Sequence, residues 1–217
     1  MAYLILMSAL FINGFLYMMM FKKGEIELFI NRNWSPAADV FYPYYTHVGD
    51  GLTFTAVIVI LLFVKYYYAL SAALVFGVSS LMAQFLKRVV FFDEARPKIF
   101  FTEGHWRSDF HVVPGVDIHH HLSFPSGHTT TAFALATFIV LYLLGSPKYY
   151  FLQLVCFVMA LFVGVSRIYL IQHFFIDTYF GAMLGSIFAG FVYMIAHSNT
   201  QLRDNKFLQG SLLRKSG

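Results

Sequence analysis

Long stretches of apolar residues without a single charge dominate this sequence and limit how the chain can fold. About 20 such residues in an α-helix, at 1.5 Å per residue, cross the roughly 30 Å hydrocarbon layer of a membrane. The sequence predicts six crossings, at residues 2–21, 51–64, 66–86, 129–147, 149–166 and 178–196. The second stretch is short and lies between Asp50 and Lys65, so this span has to extend into its flanks.

The composition agrees with a membrane protein. Of the 217 residues, 59% are hydrophobic and only 12% are charged, whereas roughly a quarter of a soluble domain is charged. Helices satisfy all of their own backbone hydrogen bonds in lipid. We therefore expect an all-α, polytopic integral membrane bundle of six transmembrane helices, built as a single domain over residues 1–217 with a basic cytoplasmic tail at 198–217.

Three further features narrow the classes of protein. Residues 2–21 lack a preceding basic segment and a small-residue cleavage pattern, so we expect them to stay as a helix. The single cysteine, Cys156, excludes a disulfide within the chain. The net charge of +4 comes from Lys and Arg that flank the apolar stretches, which favours contact with anionic lipid over nucleic acid.

Six antiparallel crossings bring three polar segments to one side of the membrane. These are the segments at 86–98, 125–130 and 166–177. Ionisable groups at membrane depth are costly and normally face a protein interior or an aqueous cavity. The sequence therefore predicts that the three segments form one site.

Basic residues in two of these segments predict an anion site. Lys87 or Arg88, Arg96 and Arg167 provide fixed positive charges, and the planar guanidinium of arginine suits the paired oxygens of a phosphate.

The remaining segment, at 125–130, adds the start of a helix, because Ser126 and Gly127 lie where the fourth span begins. Free backbone N–H groups and the helix dipole favour negative charge there.

Two histidines supply the reactive groups. His173 and Asp177 are four residues apart, so on a helix the carboxylate can hold one imidazole nitrogen and leave the other as a nucleophile. His128 is then available to protonate a leaving oxygen. Together with the anion site, these residues predict a reaction on a phosphate group.

The motifs resemble those of the type 2 phosphatidic acid phosphatase and vanadium haloperoxidase superfamily, in its membrane-integral branch of lipid phosphate phosphatases. The family signature is K-x6-R-P, then P-S-G-H, then S-R-x5-H-x3-D. The second and third elements match at 125–128 and at Ser166, Arg167, His173 and Asp177. The first element departs from the signature, because Val89 stands seven residues before Arg96 and the match is K-x8-R-P from Lys87.

The resemblance implies a fold and a set of roles. It covers residues 66–196, and the six-helix membrane form of the family covers nearly the whole chain. His173 would attack phosphorus, Asp177 would orient it, and His128 would act as general acid and base. The phosphate would be bound by Lys87, Arg96, Ser126, Gly127 and Arg167, without a metal or other cofactor. We expect Lys87 to fill the first motif through a two-residue bulge, with Arg88 as the substitute.

A run of histidines between the third and fourth spans has another interpretation. His105, His111 and the run at 119–121 are potential metal ligands, but three consecutive imidazoles cannot converge on one metal from a regular element. We expect a polar loop at the cavity mouth. Trp106 and Arg107 fit an interfacial belt.

The implied substrate is a lipid phosphate whose apolar chain stays in the bilayer, and the class of lipid is open: phosphatidate, phosphatidylglycerol phosphate, undecaprenyl diphosphate, a sphingolipid phosphate or lipid A phosphate.

Counts of Lys and Arg on the two sides do not set the orientation of the chain in the membrane. The basic tail favours a cytoplasmic C-terminus, and the resemblance implies a bacterial inner membrane with the site facing the periplasm or exterior.

Three alternatives to a phosphatase stay open. A haloperoxidase holds vanadate in a similar pocket, but those relatives are soluble. A lipid phosphotransferase would pass the phosphoryl group to an alcohol instead of water. A transporter or assembly protein would keep an inert anion pocket.

Overall fold

The computed structural model of this protein describes residues 2–103 and 109–214. The described residues form helices and contain no strand. The α-helices in chain order are α1 (Ala2–Met20), α2 (Glu25–Arg32), α3 (Pro36–Tyr45), α4 (Gly51–Val64), α5 (Tyr66–Phe85), α6 (Pro97–Thr102), α7 (Gly127–Tyr142), α8 (Tyr150–Tyr169), α9 (Phe175–Ser198), α10 (Thr200–Arg203) and α11 (Lys206–Gln209). The predicted all-α membrane bundle is confirmed.

The predicted count of six spans is not confirmed. In the described ranges, four helical segments are long and apolar enough to cross a membrane: Ala2–Met20, Tyr66–Val90, Pro147–Tyr169 and Phe175–Ser198. A fifth is present if Pro36–Gly49 and Gly51–Val64, which are bent by 51°, form one span. The remaining apolar helix, α7, has 16 residues, which at 1.5 Å each is shorter than the hydrocarbon layer.

Helix α7 lies at the centre of the bundle. Its buried residues run from Thr129 to Val140 and cover nearly all of its faces, as expected of a helix enclosed by others. It begins at Gly127, two residues before the predicted span, and ends at Tyr142, ahead of Gly145 and the short 3-10 helix Pro147–Tyr149. Pro147 disfavours a helical conformation of Ser146, which is extended, so the helix cannot run on to the predicted end at 147.

Two glycines bring α9 against the start of α7. A Cβ on Gly185 would lie 2.2 Å from the carbonyl oxygen of Thr130, and one on Gly181 would lie 2.8 Å from that of Ser126. Small residues let the backbones of membrane helices approach closely. This contact places the first turn of α7 beside the first turn of α9, where Asp177 lies.

The outer faces of the long helices carry exposed apolar side chains, among them Ile5 on α1, Leu81 on α5 and Met194 on α9. Such surface suits contact with lipid tails. At the opposite end from the motifs, the C-terminal segment packs on the turn between α4 and α5, where the N–H of Leu212 donates to the carbonyl of Leu62 at 2.9 Å.

Candidate active site

His173 and Asp177 form the buried centre of the site. His173 lies in the turn between α8 and α9, and both side chains are about 2% exposed. Nδ1 of His173 is 3.4 Å from Oδ2 of Asp177. The same oxygen accepts from the hydroxyl of Ser123 at 2.5 Å and from the N–H of Phe174 at 2.9 Å. The carboxylate is thus fixed from three sides, and Nε2 of His173 is the ring nitrogen that points away from it.

Burial lowers the pKa of His173 well below its ordinary value, and the charges of Arg96 and Lys87 lower it further. The ring is therefore neutral near pH 7. A neutral imidazole keeps a free lone pair on one nitrogen, which is what a nucleophile requires.

Ser126 lies at the N-cap position of α7 and joins this helix to α9. It is fully buried, and its N–H donates to the carbonyl of Asp177 at 3.0 Å. Its hydroxyl oxygen accepts from Thr129 at 2.9 Å, which leaves the Ser126 proton available for another acceptor. A Cβ on Gly127 would meet no atom within 4 Å, so there is open space beside this residue at the helix start.

Arg167 is a buried guanidinium with spare donors. It is 8% exposed, and Nη1 donates to the hydroxyl of Thr46 at 3.1 Å. Its Nε is buried and has no hydrogen-bond partner among the described residues. An unsatisfied buried donor costs about 1–3 kcal/mol, and more when the group is charged. Such an N–H is suited to an anion.

Arg96 makes several contacts with the protein itself. Nη1 donates to both the carbonyl and the side-chain oxygen of Gln172, at 3.0 and 2.9 Å. Nε donates to the carbonyl of His121 at 2.9 Å, and the N–H of Arg96 donates to the carbonyl of His120 at 2.8 Å. Arg96 therefore holds the histidine loop against the turn that contains His173.

Lys87 and Arg88 point into different surroundings. Both lie in a π-helical turn, Leu86–Val90, closed by a hydrogen bond from the N–H of Phe91 to the carbonyl of Leu86 at 2.8 Å. Lys87 is half-buried and close enough to Asp177 and Arg167 to interact with their charges, whereas Arg88 is exposed and bonds to Gln84. A π turn adds one residue to the helical turn, which is one fewer than the two-residue bulge that the longer K-x8-R-P spacing predicted.

The histidine run at 119–121 contributes backbone carbonyls, and not its side chains, to the contacts with Arg96. The side chains of His119, His120 and His121 are exposed, and the last of them lies 3.7 Å from the exposed Asp93. In the part of the chain that the structure describes, no three His, Cys, Asp or Glu side chains are grouped as a metal would require. His105, Trp106 and Arg107 lie outside the described residues.

The sequence analysis missed the bend between α3 and α4 as part of the site. Besides Thr46, this bend brings Gly49 against α7, where a Cβ would lie 2.6 Å from the carbonyl oxygen of His128. Asp50 and His128 line one cavity of about 280 Å³. Ser123 and Gln172, which hold Asp177 and Arg96, were also missed, and none of these residues carries a sequence signal beyond its polarity.

The chain is similar to known proteins of one family. Residues 64–201 match the PAP2 superfamily. Lipid phosphate phosphatase 1 of Arabidopsis thaliana is 38% identical over 88 residues, which are 36% of this chain and 27% of that protein. Probable lipid phosphate phosphatase 4 of the same plant is 35% identical over 81 residues, 33% of this chain and 26% of the relative. The matched part thus spans about a quarter of the length of these curated relatives.

Two solved structures have a similar fold. The crystal structure of Aquifex aeolicus LpxE has a TM-score of 0.67 and 25% identity, covering 81% of this chain and 97% of that one. The first transmembrane PAP2 type phosphatidylglycerolphosphate phosphatase from Bacillus subtilis has a TM-score of 0.63 and 25% identity, covering 89% of this chain and 96% of that one. Since the family match also covers more than half of the sequence, this chain belongs to the PAP2 superfamily and is an integral membrane protein of that family.

Proposed function

We propose that this protein is a metal-independent membrane phosphatase that hydrolyses a lipid phosphomonoester or lipid diphosphate through a phosphohistidine on His173. The observation that carries the proposal is the buried Nε of Arg167, which has no hydrogen-bond partner among the described residues. Arg167 also contacts the buried His173–Asp177 pair, since its carbonyl accepts from the N–H of His173 at 3.2 Å. A bound phosphoryl group satisfies that donor and meets the nucleophile at the same place. Phosphoryl transfer requires mainly positioning and charge stabilisation around the equatorial oxygens.

The proposed first step transfers the phosphoryl group to the protein. Nε2 of His173 attacks phosphorus while the bond from phosphorus to the lipid oxygen breaks, and His128 gives its proton to that oxygen. Asp177 stabilises the positive charge that develops on His173. Lys87, Arg96, Arg167, Ser126 and the N–H of Gly127 hold the phosphoryl oxygens.

The proposed second step releases phosphate. His128, now neutral, removes a proton from a water molecule that attacks the phosphorus. The bond to Nε2 of His173 breaks, and inorganic phosphate leaves with both histidines returned to their starting protonation states. An alcohol in place of water at this step would make the protein a phosphotransferase.

The names of the relatives support a lipid substrate. One Arabidopsis relative is named lipid phosphate phosphatase 1, and the Bacillus subtilis structure is named a phosphatidylglycerolphosphate phosphatase. The cavity beside His128 lies next to α5 and α7, so the lipid chain can remain in the bilayer while the phosphate reaches the site.

We further propose that the site faces the periplasm or exterior of a bacterial inner membrane and that the C-terminal tail faces the cytoplasm. Replacing Cys156 with alanine and adding one cysteine at exposed His120 or exposed Arg203 tests this orientation. A membrane-impermeant maleimide should label the first variant in intact cells and the second only after lysis. The opposite labelling would reverse the orientation.

A panel of lipid phosphates tests the function. The purified protein in detergent is expected to release phosphate from at least one of phosphatidate, phosphatidylglycerol phosphate, undecaprenyl diphosphate, a sphingolipid phosphate and lipid A phosphate, and His173→Ala should release none. Added alcohol acceptors distinguish hydrolysis from transfer by the product formed. No turnover of any lipid by the wild type would favour an inert pocket in a transporter or assembly protein.

A further inference from the structure

The short helix α2 contacts both sides of the turn that holds His173. It lies in the polar segment after α1, to which the sequence assigned no role. Its buried residues are Glu27, Leu28 and Asn31, and the first and last of these are four residues apart, so they share one face of the helix.

Glu27 contacts the start of α9. Its Oε1 accepts from the backbone N–H of Phe175 at 2.5 Å, and the side chain is only 2% exposed. Burial raises the pKa of Glu27, which favours the neutral acid. A neutral carboxyl still offers its carbonyl oxygen to Phe175. This bond fixes the first residue of α9, two positions before Asp177.

Asn31 contacts the end of α8. Nδ2 donates to the carbonyl of Tyr169 at 3.0 Å and to that of His111 at 2.8 Å, while Oδ1 accepts from the N–H of His111 at 2.7 Å. The side chain is fully buried. One asparagine therefore joins the last residue of α8 to the loop that precedes α7.

The turn between these two contacts needs outside support. Residues 170–174 connect Tyr169 to Phe175, and within them Ile171 has φ of 54°, a left-handed conformation that is an outlier for a β-branched residue. Strained backbone of this kind persists where the surrounding structure over-determines it. A third contact comes from Lys23, just before α2, whose ammonium lies 4.2 Å from the ring centroid of Phe174.

We propose that α2 is a clamp that positions the nucleophile, with Glu27 and Asn31 as positioning residues for His173. This inference rests on the proposed function of His173. The clamp sets where Nε2 of His173 lies relative to the phosphoryl group, and it does so without either residue touching the substrate. A displacement of about 1 Å at a reacting group can cost roughly 10²-fold in rate.

The test compares alanine and conservative variants of the full-length protein with p-nitrophenyl phosphate as the probe. Glu27→Ala and Asn31→Ala are expected to lower kcat about 10- to 100-fold with KM changed less than about threefold, because alignment is lost while phosphate binding is kept. Glu27→Gln should stay within about threefold of the wild type, since its amide oxygen can accept from Phe175. Asn31→Asp should behave as Asn31→Ala, since a carboxylate cannot donate to Tyr169.

Matched controls lie on the same segment. Glu25 is half-buried and makes no side-chain hydrogen bond to the described residues. Asn33, just after α2, is exposed, and among the described residues its side chain donates to the carbonyl of Phe29. Glu25→Ala and Asn33→Ala should match the wild type. Thermal unfolding of each variant in detergent shows whether it is folded. If the alanine variants do not fold, the comparison of kcat between Glu27→Gln and Asn31→Asp tests the clamp, which predicts that only Asn31→Asp is slow.

Each result is informative. Wild-type kcat in folded Glu27→Ala and Asn31→Ala overturns the clamp, and so does a Glu27→Gln variant as slow as Glu27→Ala. Absence of turnover and of a phosphorylated protein in the wild type is a separate result, which overturns the proposed function itself.

Discussion

Thr46 accepts a hydrogen bond from Nη1 of Arg167 at 3.1 Å, although 121 residues separate the two along the chain. Thr46 lies in the short 3-10 helix between α3 and α4, and Arg167 lies in the last turn of α8. The bond fixes the direction of a guanidinium whose Nε has no partner among the described residues. The bend between α3 and α4 therefore takes part in the proposed phosphate site.

Replacing Thr46 with valine is expected to lower kcat/KM about tenfold. Valine has the same shape but cannot accept from Arg167, and a hydrogen bond to a charged group contributes roughly 1.5–3 kcal/mol. Phosphate release from the best lipid of the panel measures the change. Thr55→Val is the control, because the hydrogen bond that its hydroxyl makes to the described residues goes to the Gly51 carbonyl within α4. Equal activity of Thr46→Val and the wild type would exclude this role.

Lys87 and Arg88 are expected to differ sharply on substitution. Lys87→Ala should lower turnover by about 10²-fold or more, as the loss of one charge-stabilising donor typically does. Arg88→Ala should change it less than about threefold, because Arg88 is exposed and pairs with Gln84. Steady-state kinetics on the same lipid measures both. The reverse order would show that the first motif begins at Arg88.

Excess EDTA is expected to leave turnover intact, because the proposed mechanism takes its charges from side chains and from the start of α7. A variant with alanine at 119–121 should keep activity within about threefold, since His120 and His121 hold Arg96 through their carbonyls. Strict dependence on an added divalent ion, together with loss of activity in the triple variant, would identify the histidine run as a metal site.

Gly185→Ala is expected to destabilise the bundle by about 1–3 kcal/mol, the usual range for overpacking. Its Cβ would lie 2.2 Å from the Thr130 carbonyl oxygen, so α9 has to move away from α7. Gly190→Ala on the same helix is the control, because its Cβ would meet nothing within 4 Å. Thermal unfolding in detergent compares the two variants. Equal stability would mean that the helices are not in the close contact described.

The sequence predicted the parts of the fold and site that depend on local pattern. Uncharged stretches marked most of the long helices, and the residue types and spacings in the three polar segments indicated His128, His173 and Asp177 as neighbours. That prediction came from the expected order of the spans, since antiparallel helices bring alternate ends together. Helix α4 has the bounds of the predicted stretch at 51–64, but its bend of 51° against the preceding helical segment was not predicted. The end of α7 at Tyr142 was not predicted either, because the predicted span ran on to residue 147.

Other parts of the site depend on contacts that no local pattern encodes. In the sequence, Thr46 and Asn31 are ordinary polar residues. Their hydrogen bonds to Arg167 and Tyr169 are visible only in the folded chain. The histidine run could not be interpreted from its side chains, because the contacts with Arg96 are made by the backbone carbonyls of His120 and His121. The role of α2 depends entirely on such long-range contacts.

The two histidines have different proposed roles, and their variants should differ accordingly. His173→Ala removes the nucleophile, so no substrate should phosphorylate it. His128→Ala removes only a proton donor in the first step, and an aryl phosphate with a good leaving group needs little protonation. Its phosphorylation by such an ester should survive in part, while turnover of an alkyl lipid phosphate should be lost.

Trapping of labelled phosphate on the protein tests the central claim most directly. Wild-type protein and the His128→Ala variant, mixed with a labelled aryl phosphate and quenched within one turnover, are predicted to carry acid-labile, base-stable label that is absent from His173→Ala. Label on His173→Ala, or no label on the wild type while it turns over substrate, would contradict the phosphohistidine mechanism.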